Sequence, residues 1–221
     1  MVGPDVASAL DVSDMKAVHQ ALRDTLDGAG ALVGTTPPGD AERVALISNF
    51  YENVLSFLHA HHQTEEDLVF PLLRERCPAE RAVVDRAAEQ HEEVRVSVDA
   101  AESAVASWAE QGEGQRGNCA DRLSALGSLL GRHLDEEERN VLPLCAAHLS
   151  AEEWGAQPGH GMALFSGDKI WLILGLIRQR MTPAQRDEML AHMPPPAGEM
   201  WTSFGEKAFD ELMTRVGPPL A

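Results

Sequence analysis

The 221 residues suffice for one core with an appended segment and are too few for three domains. At 44% hydrophobic, with 13 Pro and 18 Gly, the chain is neither disordered nor fibrous. The excess of 35 Asp and Glu over 18 Lys and Arg, a formal net charge of -17, argues against a nucleic-acid surface, which needs clustered positive charge.

Cys77, Cys119 and Cys145 form no CxxC pair, and the Met1 end shows neither the basic nor the apolar region of a secretory signal. The longest apolar run, Ile170 to Ile177, falls far short of the ~20 residues of a membrane span. A cytoplasmic protein without membrane association is the expectation. One count stands out: nine histidines, seven of them before residue 150, beside a single tyrosine. Imidazole and carboxylate are the currency of a metal site or a pH sensor.

In chain order, helical spacing dominates. Ser13 is placed to cap a first helix carrying Met15, Val18, Leu22 and Leu26, which ends before Gly34 and the Pro37-Pro38 turn. Asp40 is placed to cap a long second helix through Ile47, Val54, Leu58, His61, Glu65, Leu68 and Leu72, with Pro71 disturbing its last turns. Pro78 opens a third at its first-turn position, carrying Val84, Ala87, His91, Val94 and Val98 to a linker at Gly112–Gly117. A fourth runs from about Asn118 to Leu149 through Leu126, Leu130, His133 and Val141. Four amphipathic helices with short links predict an all-α, antiparallel up-down four-helix bundle over residues 11–149.

After Ser150 the character changes. Ser150 with Glu153, and Thr182 with Gln185, are candidate capping boxes. Pro194 to Pro196 mark a stop, and Glu199 to Val216 read as a last helix. Trp154, Trp171 and Trp201 fall in this less charged stretch. Residues 150–221 are expected to form a C-terminal helical extension packed on the bundle, available for a homodimer contact.

An offset of 72 residues puts the unusual residues in register: His19 with His91, His61 with His133, Glu65 with Glu137, Glu66 with Glu138 and Pro71 with Pro143. Each half is then a helical hairpin whose first helix offers one His and whose second offers His-x-x-x-Glu. That spacing stacks His61 over Glu65 and His133 over Glu137 on one face, shared with Leu58, Leu68 and Leu72 or with Leu130 and Leu144. A pseudo-twofold would bring four imidazoles and two carboxylates together inside the bundle. Burying an unpaired charge costs roughly several kcal/mol, and shared cations remove that cost. Imidazole and carboxylate without thiolate suit iron, manganese or zinc.

His19, His61-x-x-x-Glu65, His91 and His133-x-x-x-Glu137, with the flanking EEDLVFPLL and EEERNVLPL runs, resemble the hemerythrin-like (HHE cation-binding) family over about residues 11 to 149. The resemblance implies a four-helix bundle holding two non-haem iron ions, bridged by two carboxylates and by oxo or hydroxo. It also implies reversible dioxygen binding, sensing, or handling of nitric oxide or peroxide. The oxygen carriers of that family have a second histidine four residues after the one matching His91, where this chain has Arg95. His62 and a solvent ligand are the candidate substitutes, His160 is placed to fold over the site, and the vacancy alternatively leaves room for a substrate. Register favours Glu137 as the second bridging carboxylate, whereas the spacing in hemerythrins proper would choose Glu138.

The remaining candidates have plainer readings. Arg23 and Arg95 either salt-bridge to glutamates or hold a carboxylate of the site. His59 reads as a surface residue, His148 and His192 as end-of-helix histidines, and Tyr51 as a packed tyrosine. The leading expectation is a diiron protein that binds, senses or scavenges dioxygen or a related oxidant. The alternatives are a diiron oxidase or oxygenase whose pocket is walled by Trp154, Phe165 and Trp171, and a structural or interaction module stabilised by metal.

Overall fold

The computed structural model describes residues 10–193 and 195–217, with the backbone alone at residue 192. The His192 side chain and Pro194 of the expected proline stop therefore lie outside the described residues. The fold is all-α, with no strand among the described residues.

Helix α1 (Ser13–Asp27) begins at Ser13 itself, whose N–H donates to Asp11 Oδ1 at 2.9 Å, so the expected Ser13 cap moves back toward Asp11. The chain breaks at Gly28 and continues as a short α2 (Ala29–Gly34). Both lie tightly against the later helix α6 (Glu113–Asn140). A Cβ on Gly30 would stand 2.0 Å from Ser124 Oγ, and one on Gly127 2.8 Å from the Leu26 carbonyl oxygen, so glycine sets this approach. Asp40 caps α3 (Ala41–Thr64), accepting from the Arg43 N–H at 2.9 Å as its side-chain chemistry predicts.

The chain after α3 widens into a π-helical turn, Glu65–Val69, before α4 (Phe70–Arg76), which carries Pro71 in its first turn. A proline has no N–H to donate and crowds the preceding turn, and the wide turn accommodates both. It also rotates everything downstream. Val69, Phe70, Leu73 and Cys77 are buried, while Leu68 and Leu72, expected on the inward face, are half-buried. The same shift recurs 72 residues later. There α7 (Leu142–His148) has Pro143 in its first turn, Val141, Leu142, Cys145 and Leu149 are buried, and Leu144 is half-buried.

Two boundaries differ from expectation. Pro78 sits in the turn closed by the Glu80 N–H on the Cys77 carbonyl, and α5 (Arg81–Gln111) starts after it. Gly112 alone, at φ 63°, separates α5 from α6; Gly114 and Gly117 are absorbed into the helix instead of forming a linker.

Helix α5 packs on α6 and α3, and α6 on α1. Leu22, Leu26, Leu55, Leu58, Leu126 and Leu130 are fully or almost fully buried between them, each contributing about 1.5–3 kcal/mol on burial. The later residues extend this core. They form α8 (Ala151–Gly155), α9 (Gln157–Leu164), α10 (Ile170–Arg180), α11 (Pro183–His192), α12 (Pro195–Met200) and α13 (Glu206–Val216). Both expected capping boxes, Ser150 with Glu153 and Thr182 with Gln185, are present. The single last helix expected from Glu199 is instead α12 and α13 joined by a π-helical turn, Trp201–Gly205. Helix α10 lies on α1 and α3, and α9 on α3. Leu172, Ile173, Trp201 and Phe209 join the cluster of Leu22 and Leu55. Trp154 joins a second cluster with Met15, Val69 and Phe70. Among the described residues no helix is long and apolar enough to cross a membrane.

Candidate metal centre

Four helices and one turn deliver the histidines and glutamates to one place. His19 comes from α1, His61 and His62 from the end of α3, Glu65 from the π-helical turn, His91 from α5, and His133 and Glu137 from α6. All seven are buried, between 0% and 7% exposed. The ligand atoms of His19, His61, Glu65 and Glu137 lie within 4.8 Å of one another, and so do those of His62, His91 and His133.

The two groups share their carboxylates. Glu65 Oε2 stands 3.8 Å from His61 Nε2 in one group and 3.5 Å from His91 Nε2 in the other. Glu137 Oε2 stands 3.6 Å from His19 Nε2 and 3.5 Å from His133 Nε2. Ligands about 2.1 Å from one ion stand about 3 to 3.5 Å apart, so this spacing is slightly wider than that of ligands around a shared cation. His62 stacks on His91 with ring centroids 4.1 Å apart and meets His133 edge-on at 5.0 Å.

Each of the five Nε2 atoms and both Oε2 atoms is buried with no hydrogen-bond partner. Seven converging orphans in one pocket are otherwise costly, at about 1–3 kcal/mol each. The opposite edges of three rings are held. His19 Nδ1 donates to Glu138 Oε1 at 3.1 Å, His91 Nδ1 to Glu66 Oε1 at 3.2 Å and His133 Nδ1 to Gln90 Oε1 at 3.2 Å. A carboxylate or carbonyl oxygen can only accept, so Nδ1 carries a proton and Nε2 is the nitrogen turned inward and available to a metal. Burial, with the other imidazoles, holds His61 and His62 well below the ordinary histidine range. Burial likewise pushes His133 down to about 4 against the pull of Glu137. Burial, with Glu137 beside it, pushes Glu65 well above the usual carboxylate range. Burial thus favours neutral His61, His62 and His133, and a cation is what would let Glu65 ionise. The donor set fits a metal site.

Around this set the remaining candidates divide. Glu137 faces inward, whereas Glu138 turns to His19 Nδ1 and accepts from Arg23 at 2.6 Å. Arg23 also reaches Asp135 at 2.8 Å, so it steadies the carboxylate that orients His19. Arg95, its equivalent in the repeat, bonds Glu92 and Asp99 on its own helix and faces solvent away from the cluster. His160 does not fold over the site. Its Nε2 pairs with Asp67 Oδ2 at 2.9 Å, because α9 lies along the outside of α3. Tyr51 is buried between helices, its hydroxyl donating to the Thr25 carbonyl at 3.4 Å.

Glu66 and Gln90 had no assigned role in the sequence. Glu66 carried a usable signal, since it lies in register with Glu138 and holds His91 as Glu138 holds His19. Gln90 carried none, because the repeat places Val18 at its position.

A helical fold with a buried, cation-ready cluster of imidazoles and carboxylates defines a metal-binding helical protein. The family model described as the hemerythrin HHE cation binding domain matches residues 10–145, and the chain belongs to that family. No curated protein and no solved structure matches it.

Proposed function

We propose that the chain is a non-haem diiron protein that binds, senses or scavenges dioxygen or a related small oxidant such as peroxide or nitric oxide. In this reading α1, α3, α5 and α6 are the four helices of an antiparallel up-down bundle. His19 and His61 hold one ion, His62, His91 and His133 hold the other, and Glu65 and Glu137 are shared between them. His62 takes the place that Arg95 leaves vacant. The observation carrying the reading is the set of seven orphaned ligand atoms, five imidazole and two carboxylate, divided into two groups that share their carboxylates. Imidazole and carboxylate oxygen suit iron, with manganese or zinc able to occupy the same ligands.

Iron held by these residues would supply one-electron redox chemistry. The protein's own groups do the rest. Glu138, Glu66 and Gln90 keep three imidazoles in the Nδ1–H form, and Arg23 holds Glu138 in place. Phe70 stacks on His91 with centroids 5.0 Å apart and helps keep water from that edge.

The test is metal content followed by absorption spectra of the anaerobically reduced protein before and after air, peroxide and nitric oxide. About two irons per chain and a spectral response to at least one oxidant are expected. A redox-silent metal with no response to any of the three would remove the reading in favour of a metal-stabilised module.

A further inference from the structure

The pseudo-twofold that places the ligands is broken around them. A cleft of about 230 Å³ lies between α5 and the end of α6. Exposed Arg86 and Asn140 stand at its mouth, and buried Ala87, Gln90 and Glu137 line it further in. It therefore runs from solvent to Glu137, one of the two residues whose carboxylates are shared.

Subtracting 72 turns this lining into its counterpart on the other half: Arg86 becomes Asp14, Ala87 Met15, Gln90 Val18, Glu136 Thr64, Glu137 Glu65 and Val141 Val69. That face is covered. The Trp154 indole N–H donates to both Asp14 carboxylate oxygens at 3.1 Å, and its ring is buried with Met15 and Val69. A Cβ on Gly161 would stand 3.4 Å from Thr64 Oγ1, so α9 runs close above Thr64. His160 pins the same helix to Asp67. Val18 fills the place of Gln90 with an apolar side chain packed on both cores.

We propose that small neutral polar molecules reach the centre through the α5–α6 cleft ending on Glu137, and that α8 and α9 close its pseudo-equivalent. The lining sets the chemical class. Ala82, Val83, Ala87 and Val141 make much of the wall apolar, and Asn140, Gln90 and Glu136 add a few hydrogen-bonding groups, so a small neutral guest able to hydrogen-bond is accommodated. Glu136 and Glu137 outnumber Arg86 in the lining, and with the acidic excess of the chain this disfavours anions. The Gln90 carboxamide joins the portal to the site, accepting from His133 Nδ1 while donating to Glu136 Oε2 at 2.7 Å. The portal rests on the diiron reading for what it serves.

The experiment uses hydrogen peroxide with the full, iron-loaded chain reduced anaerobically and mixed by stopped flow. Two ferrous ions give up one electron each, and peroxide takes these with two protons to leave as two waters. Asn140→Trp narrows the mouth without touching any of the seven ligand groups. It should slow the second-order reaction about tenfold or more at unchanged iron content and final amplitude. Val96→Trp, on an exposed face of α5, should keep the wild-type rate, and Trp154→Ala should raise it by opening the covered face. Equal rates in wild type and Asn140→Trp, or equal slowing in Val96→Trp, would overturn the portal. A wild type that holds metal yet ignores peroxide would sink the oxidant reading instead. The portal is then measured by metal release driven by 2,2′-bipyridine, a neutral chelator, which should slow in Asn140→Trp alone, and equal release rates would overturn it.

Discussion

His62→Leu should move the metal-free and metal-loaded proteins in opposite directions. His62 Nε2 is buried without a partner, and the ring sits among His61, His91 and His133. Without metal, that orphan costs about 1–3 kcal/mol, and a leucine of comparable volume removes it. In a chain of this size 1 kcal/mol is about 2–4 °C in Tm, so the variant should melt several degrees higher than wild type in chelator. With metal the sign reverses. A ligand present at a thousandfold its Kd stabilises by about 4 kcal/mol, and losing one imidazole of three in the second group forfeits much of that for one ion. Metal content should fall from about two ions per chain toward about one. His59→Leu should leave both melts within about 0.5 kcal/mol of wild type. Paired thermal melts in chelator and in excess anaerobic Fe(II), with metal analysis, give the answer. If His62→Leu lowered stability in chelator and left the metal content alone, the assignment of His62 to the site would be refuted.

The arginines of the repeat should separate cleanly. Arg23→Ala frees Glu138 from its 2.6 Å contact and should lower metal affinity by about 10-fold or more in a chelator competition, whereas Arg95→Ala should change nothing measurable; equal effects would count against the role of Glu138. Arg76 reaches Glu153 at 2.5 and 2.8 Å, joining α4 to α8, and holds that carboxyl at about 2. Its folded value lies below the unfolded 4.5, so the pair's contribution is present above pH 4.5 and is lost as pH falls toward 2. Arg76→Ala should return Glu153 toward 4.5 in an NMR titration, and an unchanged low value would refute the pairing. Gly127→Ala puts a Cβ 2.8 Å from the Leu26 carbonyl and should cost about 1–3 kcal/mol in urea unfolding, whereas Gly131→Ala, with open space around it, should cost nothing and gain up to about 1 kcal/mol. Equal midpoints for the two would dismiss the close approach of α1 to α6.

The helical class and the inward His and Glu residues were legible because both depend on periodicity, which a chain writes along itself. The 72-residue offset made His19 and His91 readable although neither stands in a His-x-x-x-Glu motif. What escaped depended on partners far away in sequence. Arg23 and Arg95 are equivalent in the repeat, but only Arg23 has Asp135 and Glu138 opposite it. The position of His62 could not be decided from α3 alone, because adjacent residues point about 100° apart and both His61 and His62 face inward only where three other helices converge. The single-residue break at Gly112 lacked the length usually associated with a linker, and the neighbouring glycines read as part of one. The phase change at Glu65–Val69 was hidden because a proline announces a disturbance without saying whether the helix will kink, stop or widen.

That wide turn has a mechanical meaning. The motif that gathers the ligands and the segment beyond Pro71 follow different angular registers, with one extra residue taking up the difference. Phe70 and Leu73 can therefore be repacked without turning His61 or Glu65, and the ligand face can drift without unseating the apolar residues below it. The second half solves the same problem differently, breaking the helix at Val141 before Pro143 without a wide turn. Removing Leu68 would erase this independence, swinging Phe70 and Leu73 by about a quarter turn so that one end of the helix could be right only if the other were wrong.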